Sequence, residues 1–386
     1  MPSGTLPPLA WQLPGGGIAV RRGHGATVHL HERGRWPAWS PDGECLAVSL
    51  LDWEDGVPSS ALAVYDVHGR RLATPYVSPP GSPAFIAPGV PHYVHWSPTG
   101  ERFALVAPAS EGLQLFVVER SSWACERVLG GAPIFPVWSP DGRWLVIHAE
   151  HDLRLYDAVT SQSRVLMAGN VAGFRSPAFN LAGERLAFAT LREGGADLWC
   201  AAVPGFESVR WASFAGGITF AFVPGTEVLA VAVSNDPESG AFDELVLVGP
   251  DGVRATLCRG PFAAFFLDPH GQTAVLVVPA QSPDGRFQLV LRSLADGRVI
   301  AASDYFYPSF LTRLVIGFFD QFARSHAVWA PDGSGVVFAG RRPTEGPLPA
   351  LSDAPELVLY WRAQRGAALE IVVEGEVAFF APTMST

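Results

Sequence analysis

Four histidines stand where apolar strand patterns begin or end: His92, His95, His148 and His326. Neutral imidazoles brought together from separate loops can hold one divalent metal, which then polarises a substrate or activates a water. His24 and His151 occupy comparable loops, as do Asp52, Glu54, Asp55, Glu150, Asp152, Glu193, Asp236 and Glu238. The local pattern His148-Ala149-Glu150-His151 is neither His-Glu-x-x-His nor its inversion, so spacing alone names no zinc site. The plainer reading is preferred: loop histidines that are hydrogen-bonded or solvated, and no cofactor. A divalent metal on the four histidines is the alternative. No Ser-His-Asp order, paired-carboxylate spacing or phosphate cradle stands out, and Gly15-Gly16-Gly17 is too short and opens no helix.

What positions these residues is a repeat. Trp39-Ser40-Pro41-Asp42-Gly43, Trp96-Ser97-Pro98-Thr99-Gly100, Trp138-Ser139-Pro140-Asp141-Gly142 and Trp329-Ala330-Pro331-Asp332-Gly333 each precede an apolar run. Weaker copies begin at Phe179, Phe222 and Phe266, and a truncated one at Phe380. Proline presets φ, aspartate bonds forward to the backbone and glycine accepts positive φ, so the motif is a turn between two strands. Its aspartates are therefore turn residues, and its aromatics are wedges between neighbouring units. Successive anchors from Trp96 to Phe266 lie 42, 41, 43 and 44 residues apart. That matches the ~40–45-residue period of a four-stranded propeller blade.

The chain thus reads as all-β: one propeller domain over residues 1–386, built of four-stranded antiparallel blades. Eight blades are preferred and seven are the alternative. Residues 1–16 read as a lead-in. The hairpin Gly17–Arg22 and Ala26–Glu32 joins the last strand, Glu376–Pro382, in an eighth blade of three strands that closes the ring. On this count the loops 51–60, 75–91 and 303–325 share one rim, and the opposite rim has short turns.

The repeated Trp-Ser-Pro-Asp-Gly followed by an apolar strand resembles the TolB-like, WD-repeat-like β-propeller repeat, over about Trp11 to Pro382. Propellers of this kind occur in the colicin-uptake protein TolB, in prolyl-oligopeptidase-type peptidases and as oligogalacturonate lyase. Neither the export signal nor the small N-terminal domain of TolB is expected from this sequence. It carries no peptidase domain and no Gly-x-Ser-x-Gly, so it resembles a free-standing propeller. The resemblance to the lyase implies the alternative function: a metal-dependent carbohydrate lyase or hydrolase with its histidines at the channel mouth.

The insertion Ser303–Ser325 breaks the strand pattern. Phe310, Leu311, Leu314, Val315, Phe318, Phe319 and Phe322 form a helical stripe near 308–323, with Asp304 or Ser309 as cap. So apolar a helix cannot stand free in water. It either folds over the rim and plugs the channel, or leaves part of its stripe open to a partner. The docking set would then be Phe310, Leu314, Phe318, Phe319 and Phe322, with Asp320 among them.

Composition narrows the rest. Net charge is −10, with 27 basic and 37 acidic residues, and no basic stripe marks a nucleic-acid partner. Every basic side chain is arginine, which excludes Schiff-base and phosphate-loop lysines. No stretch approaches the ~20 apolar residues of a spanning helix. Met1 to Gly17 has neither a basic start nor an apolar run, and the four cysteines form no Cys-x-x-Cys, so a cytoplasmic protein is expected. The leading functional expectation is a non-catalytic propeller scaffold that binds a protein partner or ligand on its loop-bearing rim.

Overall fold

The computed structural model describes residues 6–23, 25–54, 56–169, 171, 175–236, 239–281, 285–343 and 354–382. The candidates His24, Asp55 and Glu238 lie outside the described residues, as does the side chain of Glu54.

Eight four-stranded antiparallel sheets form a ring. Blades 1 to 7 span residues 34–77, 93–130, 134–167, 178–214, 217–262, 264–302 and 307–374. Blade 8 is complete rather than three-stranded, because the segment read as a lead-in contributes a strand, Leu9–Gln12. That strand pairs with the C-terminal strand Val377–Phe380, Leu9 opposite Phe380 and Gln12 opposite Val377. Strands from the first and last parts of the described chain thus share one sheet, which closes the ring.

The repeated turn is built as its residues dictate. Gly43, Gly100, Gly142 and Gly333 have φ of 66, 72, 69 and 71°, and each N–H donates to the carbonyl three residues back. Asp42, Asp141 and Asp332 accept the backbone N–H two residues on, at 3.1, 3.1 and 3.0 Å. Each anchor indole reaches the inner strand of the preceding blade. Trp39 donates to the Phe379 carbonyl (3.1 Å), Trp96 to Ala38 (3.2 Å), Trp138 to His95 (2.9 Å) and Trp329 to Phe266 (3.0 Å). The wedge is therefore also a hydrogen bond, repeated across blade boundaries. In blade 6 the anchor position is Leu267, one residue after the Phe266 expected from sequence. There Asp268 bonds Thr273, and Gly271 bonds Asp268, as Ser40 and Gly43 do in blade 1.

The helical insertion interrupts the inner strand of blade 7. Tyr307 and Pro308 pair with Arg341 and Gly340 at one end of strand Gly335–Arg341, and Trp329 pairs with Val336 at the other. Between them run α1 (Phe310–Gly317) and α2 (Phe319–Ser325). Ser309 caps α1 by accepting the Thr312 N–H at 3.0 Å. The single expected helix breaks at Phe318 (φ −120°, ψ 37°), just after Gly317. Residues 51–60 are likewise not a loop. The ten-residue strands Cys45–Glu54 and Val57–Asp66 carry an extended hairpin up to the rim.

Candidate functional site

The helix pair fills the channel. Phe319 packs against the rings of Phe242, Phe265 and Phe266, at 5.8, 5.1 and 6.0 Å between centroids. Phe322 stacks on Trp36 at 5.1 Å and meets Tyr93 edge-on at 5.8 Å. Asp320 accepts the Ser176 N–H at 3.1 Å, and Arg324 donates to the Phe220 carbonyl at 3.2 Å. The plug thereby touches the inner face of blades 1, 2, 4, 5 and 6.

This placement divides the expected docking set. Phe319, Asp320 and Phe322 are buried in the plug. Leu314 and Phe318 are half-buried and line a rim cleft, and Phe310 is 58% exposed.

The four histidines are buried and separate into three environments. His92 sits between blades 1 and 2, with Nδ1 3.0 Å from Ser49 Oγ and Nε2 3.4 Å from Ser60 Oγ. His148 has its ring nitrogens 2.9 and 3.2 Å from the carbonyls of Arg175 and Glu150. His95 and His326 flank Tyr93 at the plug, at 6.4 and 6.3 Å between ring centroids. His95 Nδ1 lies 3.2 Å from the Pro136 carbonyl, and His326 Nδ1 lies 2.7 Å from Ser325 Oγ. Burial pulls His92 and His326 down to about 3 and His95 to about 4, and it lowers His148 as well. Such neutral rings are good ligands in principle. Yet most of their ring nitrogens face hydroxyls and carbonyls, and among the described residues no group of three His, Cys, Asp or Glu is gathered for a metal. Among the described residues the four histidines are therefore not gathered into one donor set.

Among the described residues, the loop-bearing rim carries a cleft on either side of the point where the 84–90 loop rests on α1. Gly89 makes that contact: its carbonyl accepts the Trp36 indole N–H at 2.7 Å, and a Cβ there would meet the Phe310 ring at 3.1 Å. The first cleft, about 640 Å³, lies over blades 7, 8 and 1. Trp53, 60% exposed at the hairpin tip, and Phe310 line it together with Arg33, Arg35, Glu356 and Glu376. Glu376 accepts from Gln12 Nε2 (2.7 Å) and the Gly15 N–H (3.2 Å), and Arg35 stands 3.8 Å away. Arg33 pairs with Asp52. Glu356 faces Arg341 at 3.2 Å through one oxygen, and its other oxygen has no hydrogen-bond partner among the described residues. Burial raises its carboxyl above the usual range; Arg341 opposes this and Glu376 adds to it. The second cleft, about 360 Å³, is almost wholly apolar and lies between the plug and blades 2 and 3.

Sequence reasoning singled out Asp52 and Glu54 but passed over Trp53, a large aromatic in an acidic loop tip, which was the available signal. Glu356, Glu376 and Gln321 carried none, since only the closed ring brings them to their clefts.

No protein-family model matches the chain. No curated protein matches its sequence. Solved structures do match in shape. The eukaryotic initiation factor structure aligns over 98% of this chain and 99% of its own, with 11% identity and a TM-score of 0.58. Oligogalacturonate lyase from Vibrio parahaemolyticus aligns over 85% of each chain, with 10% identity and a TM-score of 0.54. The chain is an eight-bladed β-propeller. TolB from Acinetobacter baumannii, the expected relative in repeat pattern, aligns over 88% of this chain and 83% of its own, with 16% identity and a TM-score of 0.43. At these identities the propeller's likeness to known proteins is one of fold. No helix among its described residues is long and apolar enough to cross a membrane.

Proposed function

We propose that the protein is a non-catalytic, cytoplasmic propeller scaffold that receives a protein partner on its loop-bearing rim. The observation that carries this reading is the pair of exposed aromatics, Trp53 and Phe310, beside a cleft set with Arg33 and Arg35. Aromatic and arginine side chains are the residues that anchor protein interfaces, and charged neighbours steer the encounter. The larger clefts lie on the loop-bearing rim, and the smaller ones, about 230 and 270 Å³, lie by the short turns of the opposite rim. Cys45, Cys125, Cys200 and Cys258 are all free thiols, which suits a reducing compartment.

The test is affinity capture from the source cells with wild type and with the double variant Trp53→Ala, Phe310→Ala. A defined protein recovered by wild type and lost by the variant, with melting temperature unchanged, supports the reading. Equal recovery of that protein by both overturns it.

A further inference from the structure

We propose that the apolar cleft beside α1 and α2 is a binding site for a small, neutral, largely apolar molecule bearing one carboxamide or similar carbonyl group. The cleft holds about 360 Å³, within the ~300–1,000 Å³ range of small-molecule sites. Its walls come from three parts of the fold: the 86–90 loop, the rim ends of blades 2 and 3, and the plug. Leu113, Ile134, Leu314 and Phe318 supply apolar surface, and none of the described lining residues carries a charge. A charged ligand would lose its hydration with nothing to replace it.

One polar group sets the chemistry. Gln321 lines the cleft from α2 and is only 7% exposed, and its side-chain amide, which makes no hydrogen bond to the described residues, keeps its contact with solvent through the cleft. The neighbouring Tyr93 hydroxyl is already committed, donating to the Gln321 backbone carbonyl at 3.3 Å. A ligand that displaces solvent from this amide must replace its hydrogen bonds, because a donor and acceptor left unmet are costly in apolar surroundings. A ligand carboxamide meets both needs at once, accepting from the Gln321 NH₂ and donating to its oxygen. Its hydrocarbon part then fills the remaining volume. The site is distinct from the Trp53–Phe310 face and does not depend on partner docking there.

Titration calorimetry with the full chain tests this, using 3-phenylpropanamide, propylbenzene and 3-phenylpropylammonium as probes. Wild type should bind the amide saturably, the hydrocarbon about tenfold more weakly for the missing hydrogen bonds, and the ammonium not at all. Gln321→Met should lower amide affinity about tenfold and leave propylbenzene unchanged. Ala87→Trp, which fills the cleft from its half-exposed loop, should abolish both. Absence of saturable amide binding, equal binding of amide and hydrocarbon to wild type, or undiminished binding by Ala87→Trp would each overturn the assignment. Should Gln321→Met fail to fold, the wild-type probe series and Ala87→Trp still decide the question.

Discussion

Replacing Phe322 by alanine removes the ring that joins the plug to the channel wall. Phe322 is 5% exposed, stacked on Trp36 at 5.1 Å, edge-on to Tyr93 at 5.8 Å and 5.4 Å from His326. Truncating a buried phenylalanine costs about 3–5 kcal/mol, and the lost aromatic pairs place this site toward the upper end. Across 386 residues, an unfolding entropy of about 2.1 cal/mol/K per residue gives about 0.8 kcal/mol/K, so the melting temperature should fall by about 5 °C. Phe310→Ala is the internal control. Its ring is 58% exposed, so the change should cost less than about 0.5 kcal/mol, or under about 1 °C. Scanning calorimetry of the two variants beside wild type reads both shifts. If Phe322→Ala melts within a degree of wild type, or if the two variants shift alike, the helix pair does not pack in the channel and the reasoning fails.

The buried histidines make stability depend on pH. Burial holds His92 and His326 at about 3 and His95 at about 4, so between ordinary histidine pH and those values the folded protein binds fewer protons than the unfolded chain. Their contribution is complete above about pH 6.5 and drains by about 1.4 kcal/mol per pH unit per histidine as pH falls, or about 6 kcal/mol for the three by pH 5. Urea midpoints at pH 7 and pH 5 measure the loss, and His92→Gln should reduce the slope by about a third. Trp138→Phe keeps the wedge but loses the 2.9 Å bond to the His95 carbonyl, and should cost about 1–2 kcal/mol by urea unfolding. Asp42→Ala removes the acceptor of the Glu44 N–H and of the 2.7 Å bond from Arg120, and should cost about 1–2 kcal/mol without changing ligand or partner binding.

What sequence could reveal follows from how local each signal is. The Trp-Ser-Pro-Asp-Gly turn is complete within five residues, so the propeller and most strands were legible from it, with eight blades preferred over seven. Leu267 was missed because two phenylalanines precede it and either passes for the anchor. Strand Leu9–Gln12 sits in a proline- and glycine-rich segment, and only its pairing with Val377–Phe380, at the far end of the chain, makes it a strand. The helical stripe of Phe310–Phe322 was legible too. That it splits one strand was not, because Tyr307–Pro308 and Trp329 are rejoined only through Gly335–Arg341. The histidines show the limit most plainly. Their rim positions followed from counting strands, but most of the hydroxyls and carbonyls that face their nitrogens belong to other blades or to the closed plug, the Glu150 carbonyl beside His148 being local. Phe310 was legible as part of the helical stripe, whereas Trp53 and Gln321 acquire meaning only when the clefts they line exist.

Hydrogen exchange on the protein with its captured partner bound, against the protein alone, tests the rim-docking claim most directly. Protection should appear at the tip of the Cys45–Glu54 and Val57–Asp66 hairpin and at the start of α1, around Phe310. The turns at Ser40–Gly43, Ser139–Gly142 and Ala330–Gly333, on the opposite rim, should exchange as before. Protection confined to those turns, with the hairpin tip and α1 unchanged, would contradict it.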